Sequence, residues 1–298
     1  MINLLNKIKK LKFSILYAIL AALLYAVSSP VSKVILNEIP STMLAGILYV
    51  GAGGGMLIFS LLKNKHGFSE PVNMNKEEII CTVAMIVLDT LAPILLLAGL
   101  SSTTAENVSL LNNFESVATT LIALLLFNEK VSKRLWFAIG LITLASIILS
   151  TDSTSSMNFS FGSILVLLAT ICWGFENNCT RVLSNKNPID IVIIKGVGSG
   201  IGSLIISYVI NERSDNIKYI IFALLLGFVS YGLSIYFYIL AQRYLGAAKT
   251  SAYYAISPFI GVVISFAIFK EIPQIKFFVA LLIMAGGMYL VSKDNKDQ

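Results

Sequence analysis

Apolar residues come in long blocks along this chain, and polar residues are confined to short gaps between them. Ten runs stand out, near Phe13–Leu36, Thr42–Leu62, Glu78–Leu100, Thr103–Phe127, Lys133–Ser150, Phe161–Leu183, Ile189–Ile210, Ile217–Ala241, Ala247–Phe269 and Ile275–Val291. About 20 apolar residues cross a bilayer as a helix. Lipid offers backbone groups no hydrogen-bond partner, so each run is predicted to be helical. The longest gap is Lys63–Lys76, and Thr151–Ser160 is a Ser/Thr-rich linker. Neither is large enough for a soluble catalytic domain. The first run follows Lys7, Lys9, Lys10 and Lys12. It exceeds the roughly 7–15 apolar residues of a cleavable signal peptide, so it reads as an uncleaved first span.

Composition agrees with this pattern. Of 298 residues, 56% are hydrophobic and 13% charged, with a mean hydropathy of +0.82; soluble domains carry about 25% charged residues. A soluble enzyme, a disordered chain and a fibrous protein are excluded. The net charge of +6 does not call for a nucleic-acid partner, because the basic residues follow a membrane orientation. Ten spans with a cytoplasmic N-terminus leave Lys33, Arg213, Lys218, Lys270 and Lys276 outside and Lys195 within a span; the remaining sixteen of the 22 Lys and Arg lie inside. The expectation is a multi-pass protein of the cytoplasmic (inner) membrane with both termini cytoplasmic. Cys81, Cys172 and Cys179 are an odd set within apolar runs and read as small hydrophobes.

The chain also repeats itself. A shift of 148 places Tyr25 on Trp173, Lys33 on Arg181, Asn37 on Asn185 and Pro40 on Pro188. Further on, a shift of 142 places Ser109 on Ser251 and Phe127-Asn128-Glu129 on Phe269-Lys270-Glu271. Each copy holds five spans, an odd number, so the second enters the membrane from the opposite face. The expected fold is an all-α membrane protein of ten transmembrane helices, two inverted five-helix repeats around a central cavity. Residues 1–150 form the first repeat, behind a basic segment 1–12. Residues 151–298 form the second, with a short polar tail. Inverted repeats around a midplane site characterise secondary transporters.

Leu126-Phe127-Asn128-Glu129, Ile268-Phe269-Lys270-Glu271 and Cys172-Trp173-Gly174, set in five-span halves, resemble the EamA domains of the drug/metabolite transporter superfamily. The resemblance covers roughly Phe13 to Val291. It implies movement of a small metabolite across the cytoplasmic membrane by alternating access, through a cavity between the halves. The family often has Pro in the middle of the fourth helix of each half. Here Ser257-Pro258 keeps it in the second half, while Glu115-Ser116 stands at the matching place in the first.

Ionisable side chains at bilayer depth cost about 2.5–3.5 kcal/mol each on insertion scales and mark function by default. The fourth span carries Ser109, Asn112, Asn113, Ser116, Thr119 and Thr120 with Glu115 alongside, mostly on one helical stripe. The sixth carries Trp173, Glu176, Asn177, Thr180 and Arg181, and the ninth Lys249, Tyr253, Tyr254, Ser257 and Pro258. Asp89 lies in the third span and Lys195 in the seventh. Candidate substrate contacts are Trp173, Glu176, Asn177, Asn112, Asn113, Tyr254, Tyr253 and Lys195. Lys195 would meet an anionic substrate group or neutralise Glu176. Glu115, Glu176 and Asp89 are the proton-coupling candidates, and Pro258 would kink a gating helix. The glycines at 196, 198, 200 and 202 suit close packing, within one chain or between two in a homodimer.

The expected function is secondary transport of a small polar organic metabolite, amino-acid-like or nucleobase-like, proton-coupled or as an exporter. The mixed signs of Glu176, Glu115, Asp89 and Lys195 suggest a zwitterionic or amide-rich solute. No ATP-binding motif, cofactor or metal site is expected; the lone histidine, His66, sits in a loop. The alternative is a membrane-embedded enzyme acting on lipid or prenyl substrates. Such chemistry needs clustered acids for a metal–diphosphate, and Asp89, Glu115 and Glu176 stand on separate spans.

Overall fold

The computed structural model describes residues 2–63, 74–102, 108, 111–150, 161–270 and 275–294. Ser109, His66 and Glu271 fall outside them. Every regular element among the described residues is helical. In chain order these are α1 (Ile2–Tyr25), α2 (Ser28–Ile35), α3 (Ser41–Lys63), α4 (Lys76–Ser101), α5 (Phe114–Leu125), α6 (Lys133–Ser150), α7 (Phe161–Leu183), α8 (Pro188–Val209), α9 (Ile217–Gly227), α10 (Ser234–Tyr254), α11 (Ser257–Phe269) and α12 (Ile275–Asp294). A π-helical turn, Phe228–Leu233, joins α9 to α10.

Five stretches of the described residues are long and apolar enough to cross a membrane: Leu11–Ile35, Ser41–Leu62, Lys76–Ser101, Pro188–Val209 and Ile217–Phe269. The hydropathy runs and the helices do not correspond one to one, and the reasons are local. The first run turns at Ala26 and Val27, between α1 and α2. The polar sequence Glu176-Asn177-Asn178 lowers the apolarity of α7. The eighth and ninth runs follow one another through the π-helical turn and are divided at Gly246 (φ 79°, ψ 175°) and again at Ala255 and Ile256.

Helix ends show why the chain folds this way locally. Asn75 and Glu78 form a reciprocal cap on α4, with Glu78 N–H donating to Asn75 Oδ1 at 2.9 Å and Asn75 N–H to Glu78 Oε2 at 2.8 Å. Asn187 caps α8, which Pro188 opens. Lys33 Nζ donates to the Leu100 carbonyl at 2.6 Å, serving the C-terminal end of α4. Glu129 ends the Phe-x-Glu motif by accepting from the N–H groups of Ala247 (3.1 Å) and Ala248 (3.4 Å). It therefore caps the helix that restarts after Gly246.

Packing joins the two halves of the chain. α3 lies along α8, α4 along α7, α1 along α10, and α6 along α12. The α3–α8 crossing is backbone on backbone: a Cβ at Gly196 would fall on the main chain of Gly53. Polarity is inverted relative to a soluble protein. Val83, Val87 and Leu91 form an exposed stripe on α4, and Ile217, Ile221 and Leu225 one on α9. Asp89, Glu115, Glu176 and Lys195 are buried.

Gly246 has a backbone conformation that side-chain-bearing residues rarely adopt, and its Cβ position is occupied by the Glu129 carboxylate. Gly246→Ala is expected to destabilise the protein by about 1–3 kcal/mol. Glu129→Ala, which removes the cap, should cost about 0.5–2 kcal/mol. Apparent melting temperatures in detergent test both, and an unchanged value for either variant contradicts the assigned role.

Candidate functional site

The centre of the molecule is built on α7. Residues three and four apart share a helical face, so Trp173, Glu176, Asn177 and Thr180 project from one side. Lys195 on α8 places its Nζ 2.7 Å from Glu176 Oε1 and 3.0 Å from Asp89 Oδ2 on α4. The Glu176 contact is a hydrogen bond; Asp89 Oδ2 is held by charge alone. Tyr49 OH on α3 donates to Asp89 Oδ1 at 2.8 Å, and Thr180 Oγ1 donates to Glu176 Oε1. One ammonium thus ties two carboxylates on two other helices, and hydroxyls take up further oxygen valences. Of the two roles the sequence leaves open for Lys195, this contact is the one with Glu176, and Asp89 joins the same cluster.

Glu115 is separate. It stands in the first turn of α5, and its Oε1 accepts from Asn177 Nδ2 at 2.7 Å. The same Nδ2 reaches Thr119 Oγ1 at 3.2 Å, and Gln242 Nε2 on α10 holds the Asn177 carbonyl at 2.9 Å. Among the described residues no cation pairs with Glu115. Ser116 Oγ, one residue on, donates to the Ser251 carbonyl at 3.0 Å and so links α5 to α10.

Aromatic rings close the space between these groups. The Tyr25 ring centroid lies 5.4 Å from Tyr254, 5.6 Å from Tyr231 and 6.4 Å from Trp173. Tyr49 lies 5.2 Å from Tyr231, and Tyr238 lies 5.0 Å from Tyr254. All are edge-on or tilted, the favoured arrangements. The six rings, with Glu115, Glu176, Asn177 and Lys195, line a cavity of about 40 Å³. That is room for roughly three water molecules. A smaller cavity of about 10 Å³ lies between Tyr25, Asn112, Asn113, Glu115 and Ser257. Among the described residues, Tyr25 OH, Tyr238 OH, Asn112 Oδ1 and both polar atoms of the Asn113 amide have no hydrogen-bond partner. Unpartnered buried polar atoms are rare and call for water or a ligand.

Of the residues singled out from sequence, Trp173, Glu176, Asn177, Lys195 and Tyr254 share the larger cavity with Glu115, while Asn112 and Asn113 line the smaller. Tyr253 does not join them: it is buried in the apolar cluster of α1, α6, α10, α11 and α12. One position separates it from Tyr254, which turns it about 100° round the helix. Asp89 sits behind the cavity. Pro258 belongs to the first turn of α11, just after a helix break at Ala255 and Ile256. Sequence reasoning passed over Tyr25, Tyr49, Tyr231 and Tyr238. Their signal is tyrosine deep inside apolar runs, where its hydroxyl needs a partner, instead of at the membrane interface.

The profile of the EamA-like transporter family matches the chain twice, over residues 12–151 and 160–293. The chain belongs to this family. A relative described as an uncharacterized transporter of Methanothermobacter thermautotrophicus is 26% identical over 297 residues, covering 93% of this chain and 85% of its own. A crystal structure of a protein 12% identical in sequence superposes with a TM-score of 0.75 over 93% of this chain and 94% of the other. The second match is one of fold. Family and relative together identify a membrane transporter.

In this EamA-family protein the ion cluster should be structural. Lys195→Met strands two buried carboxylates and is expected to destabilise the fold by about 3–5 kcal/mol. Adding Asp89→Asn and Glu176→Gln should recover most of the loss. Thermal melts of the single and triple variants decide it; simple additivity of the three losses would show that the groups do not act as one cluster.

Proposed function

We propose that this protein is a secondary transporter of a small polar organic metabolite, of amino-acid-like or nucleobase-like size. It would work by alternating access in the cytoplasmic membrane, with both termini cytoplasmic. The carrying observation is the buried cavity at the junction of the two halves: α1, α3 and α5 line it from one, α7, α8 and α10 from the other. Its lining is almost wholly buried, so solute can enter only when one half tilts against the other.

Ten spans in two inverted repeats, residues 1–150 and 151–298, account for the packing. Advance every span by five and α3 against α8 maps onto itself, as does α6 against α12; α4 against α7 becomes α10 against α1. The two successive profile matches support the same division. The helix breaks obey it too, since Asn113 before α5 and Ala255 before α11 stand 142 positions apart. Pro258 at the second break is the gating position.

Of the three coupling candidates, Asp89 and Glu176 are engaged by Lys195. Glu115 faces both cavities with only amide support, and we assign it the coupling proton. Exchange of that proton for solute would let an inward proton gradient drive export. In proteoliposomes, a flux screen over amino acids, nucleosides and amines should find a solute that moves. Glu115→Gln should then lose pH-gradient-driven accumulation by tenfold or more, while exchange at saturating solute persists. A variant driven by the gradient like wild type would remove Glu115 from coupling, and a screen with no moving solute would remove the transport reading.

A further inference from the structure

We infer that the cavity takes organic cations, amines and quaternary ammonium compounds carrying an apolar group, in preference to zwitterions or anions. The inference rests on the transport reading and narrows its substrate class. It begins with charge. Glu115 and Glu176 line the cavity with Asp89 behind it, and among the described residues the one ammonium at the site is that of Lys195, paired with Glu176 and Asp89. With all four ionised, the site carries two negative charges in excess. The sequence alone suggested that Lys195 could receive an anionic group of the solute. Its Nζ is instead committed to two carboxylates at 2.7 and 3.0 Å, and no other cation lines the cavity among the described residues. A solute carboxylate would enter beside Glu115 and Glu176 with nothing positive to meet it. The Asn112 and Asn113 amides can donate hydrogen bonds there but supply no charge.

Ring geometry points the same way. Aromatic faces are negative at the centre and attract cations within about 6 Å of the ring centroid. Tyr25 is packed against Tyr231, Tyr254 and Trp173 around one small space. The Tyr25 and Tyr238 hydroxyl oxygens, without partners, can accept from an ammonium. Glu115 borders this box and, among the described residues, is the one lining carboxylate not paired with a cation. A box of rings with one free carboxylate is the chemistry that selects an ammonium group on an apolar body.

A matched set separates the charge classes on one phenyl scaffold: phenethylamine, phenethyltrimethylammonium, phenylalanine, hydrocinnamide and hydrocinnamate. The protein has two tryptophans, and Trp136 lies in a separate groove beside Val117 and Ile139. In a Trp136→Phe background, fluorescence reports Trp173 in the box. Both ammonium compounds should bind at least about tenfold tighter than the amide, zwitterion or anion. Glu115→Gln should bring phenethylamine down to the affinity of the amide. Tyr25→Leu should weaken the ammonium compounds by about fivefold to thirtyfold, the range of a desolvated cation–π contact, and Tyr25→Phe should weaken them less. Equal or tighter binding of phenylalanine or hydrocinnamate overturns the inference in the unmutated cavity, whatever the variants do; so does binding of none of the five. Parallel flux in proteoliposomes separates the two readings. Ammonium binding without movement of any solute would uphold the cation site and defeat the transporter. Movement of another class without ammonium binding would do the reverse.

Discussion

Lys195 holds the middle of this protein together, because charge at bilayer depth is tolerable only when it is compensated. A carboxylate moved into a low-dielectric interior loses several kcal/mol of hydration even after relaxation. Asp89 and Glu176 both stand that deep, on α4 and α7, and the ammonium that answers them comes from α8. The three helices can therefore meet in only one rotational setting. Turn α7 by one residue and Glu176 leaves Lys195, while Trp173 and Asn177 leave the cavity. Tyr49 on α3 extends the constraint to a fourth helix through Asp89. The cluster reads as scaffold: it fixes where the cavity walls stand.

Around that fixed point the chain departs from ideal helices at places that matter. α1 gives way to α2 at Ala26 and Val27, immediately after Tyr25. The π-helical turn Phe228–Leu233 carries Tyr231 into the box, in keeping with the frequent use of such turns at functional sites. α10 ends at Tyr254, one residue before the break preceding α11. Irregular backbone at membrane depth survives only when buried in protein or lining a polar cavity. Three of the six rings are thus presented by π-helical or helix-ending backbone. Trp173 and Asn177 stand on uninterrupted helix, where Glu176 can orient them.

Much of this was legible in the residue order. Long apolar runs gave the helices, because period and length suffice where lipid is the solvent. Glu176 and Lys195 were legible as partners since buried opposite charges seek each other. Tyr254 stood out among the polar groups of the ninth span. The tyrosines at 25, 49, 231 and 238 were not legible, because a tyrosine in an apolar run is indistinguishable from core until its ring neighbours are known. Tyr253 was singled out as a substrate contact beside Tyr254 and packs in an apolar cluster, a distinction of one residue that periodicity could not draw without a phase for the helix. The junction at Gly246 was equally hidden. Hydropathy is continuous across it, and only the Glu129 cap reveals that a new helix begins.

The contacts between the halves differ in how easily they can be broken, and this bears on which of them can move. At the α3–α8 crossing, main chain meets main chain at Gly53 and Gly196 with no side chain between. Separating these surfaces would open a slot too narrow to be wetted and would forfeit dispersion contacts on both sides. Tilting about the crossing leaves those contacts nearly intact. The seam of α5 with α10 is of another kind. Ser116 and Ser251 meet through hydroxyls at 3.2 Å and a carbonyl at 3.0 Å, and water can replace each of these bonds at little net loss. Main chain also meets main chain where α4 crosses α7, at Gly99 and Gly162, so the dry backbone contacts between the halves are several and differ in kind from the exchangeable polar seam. Glu115 lies one residue from that polar seam, beside bonds that water can replace.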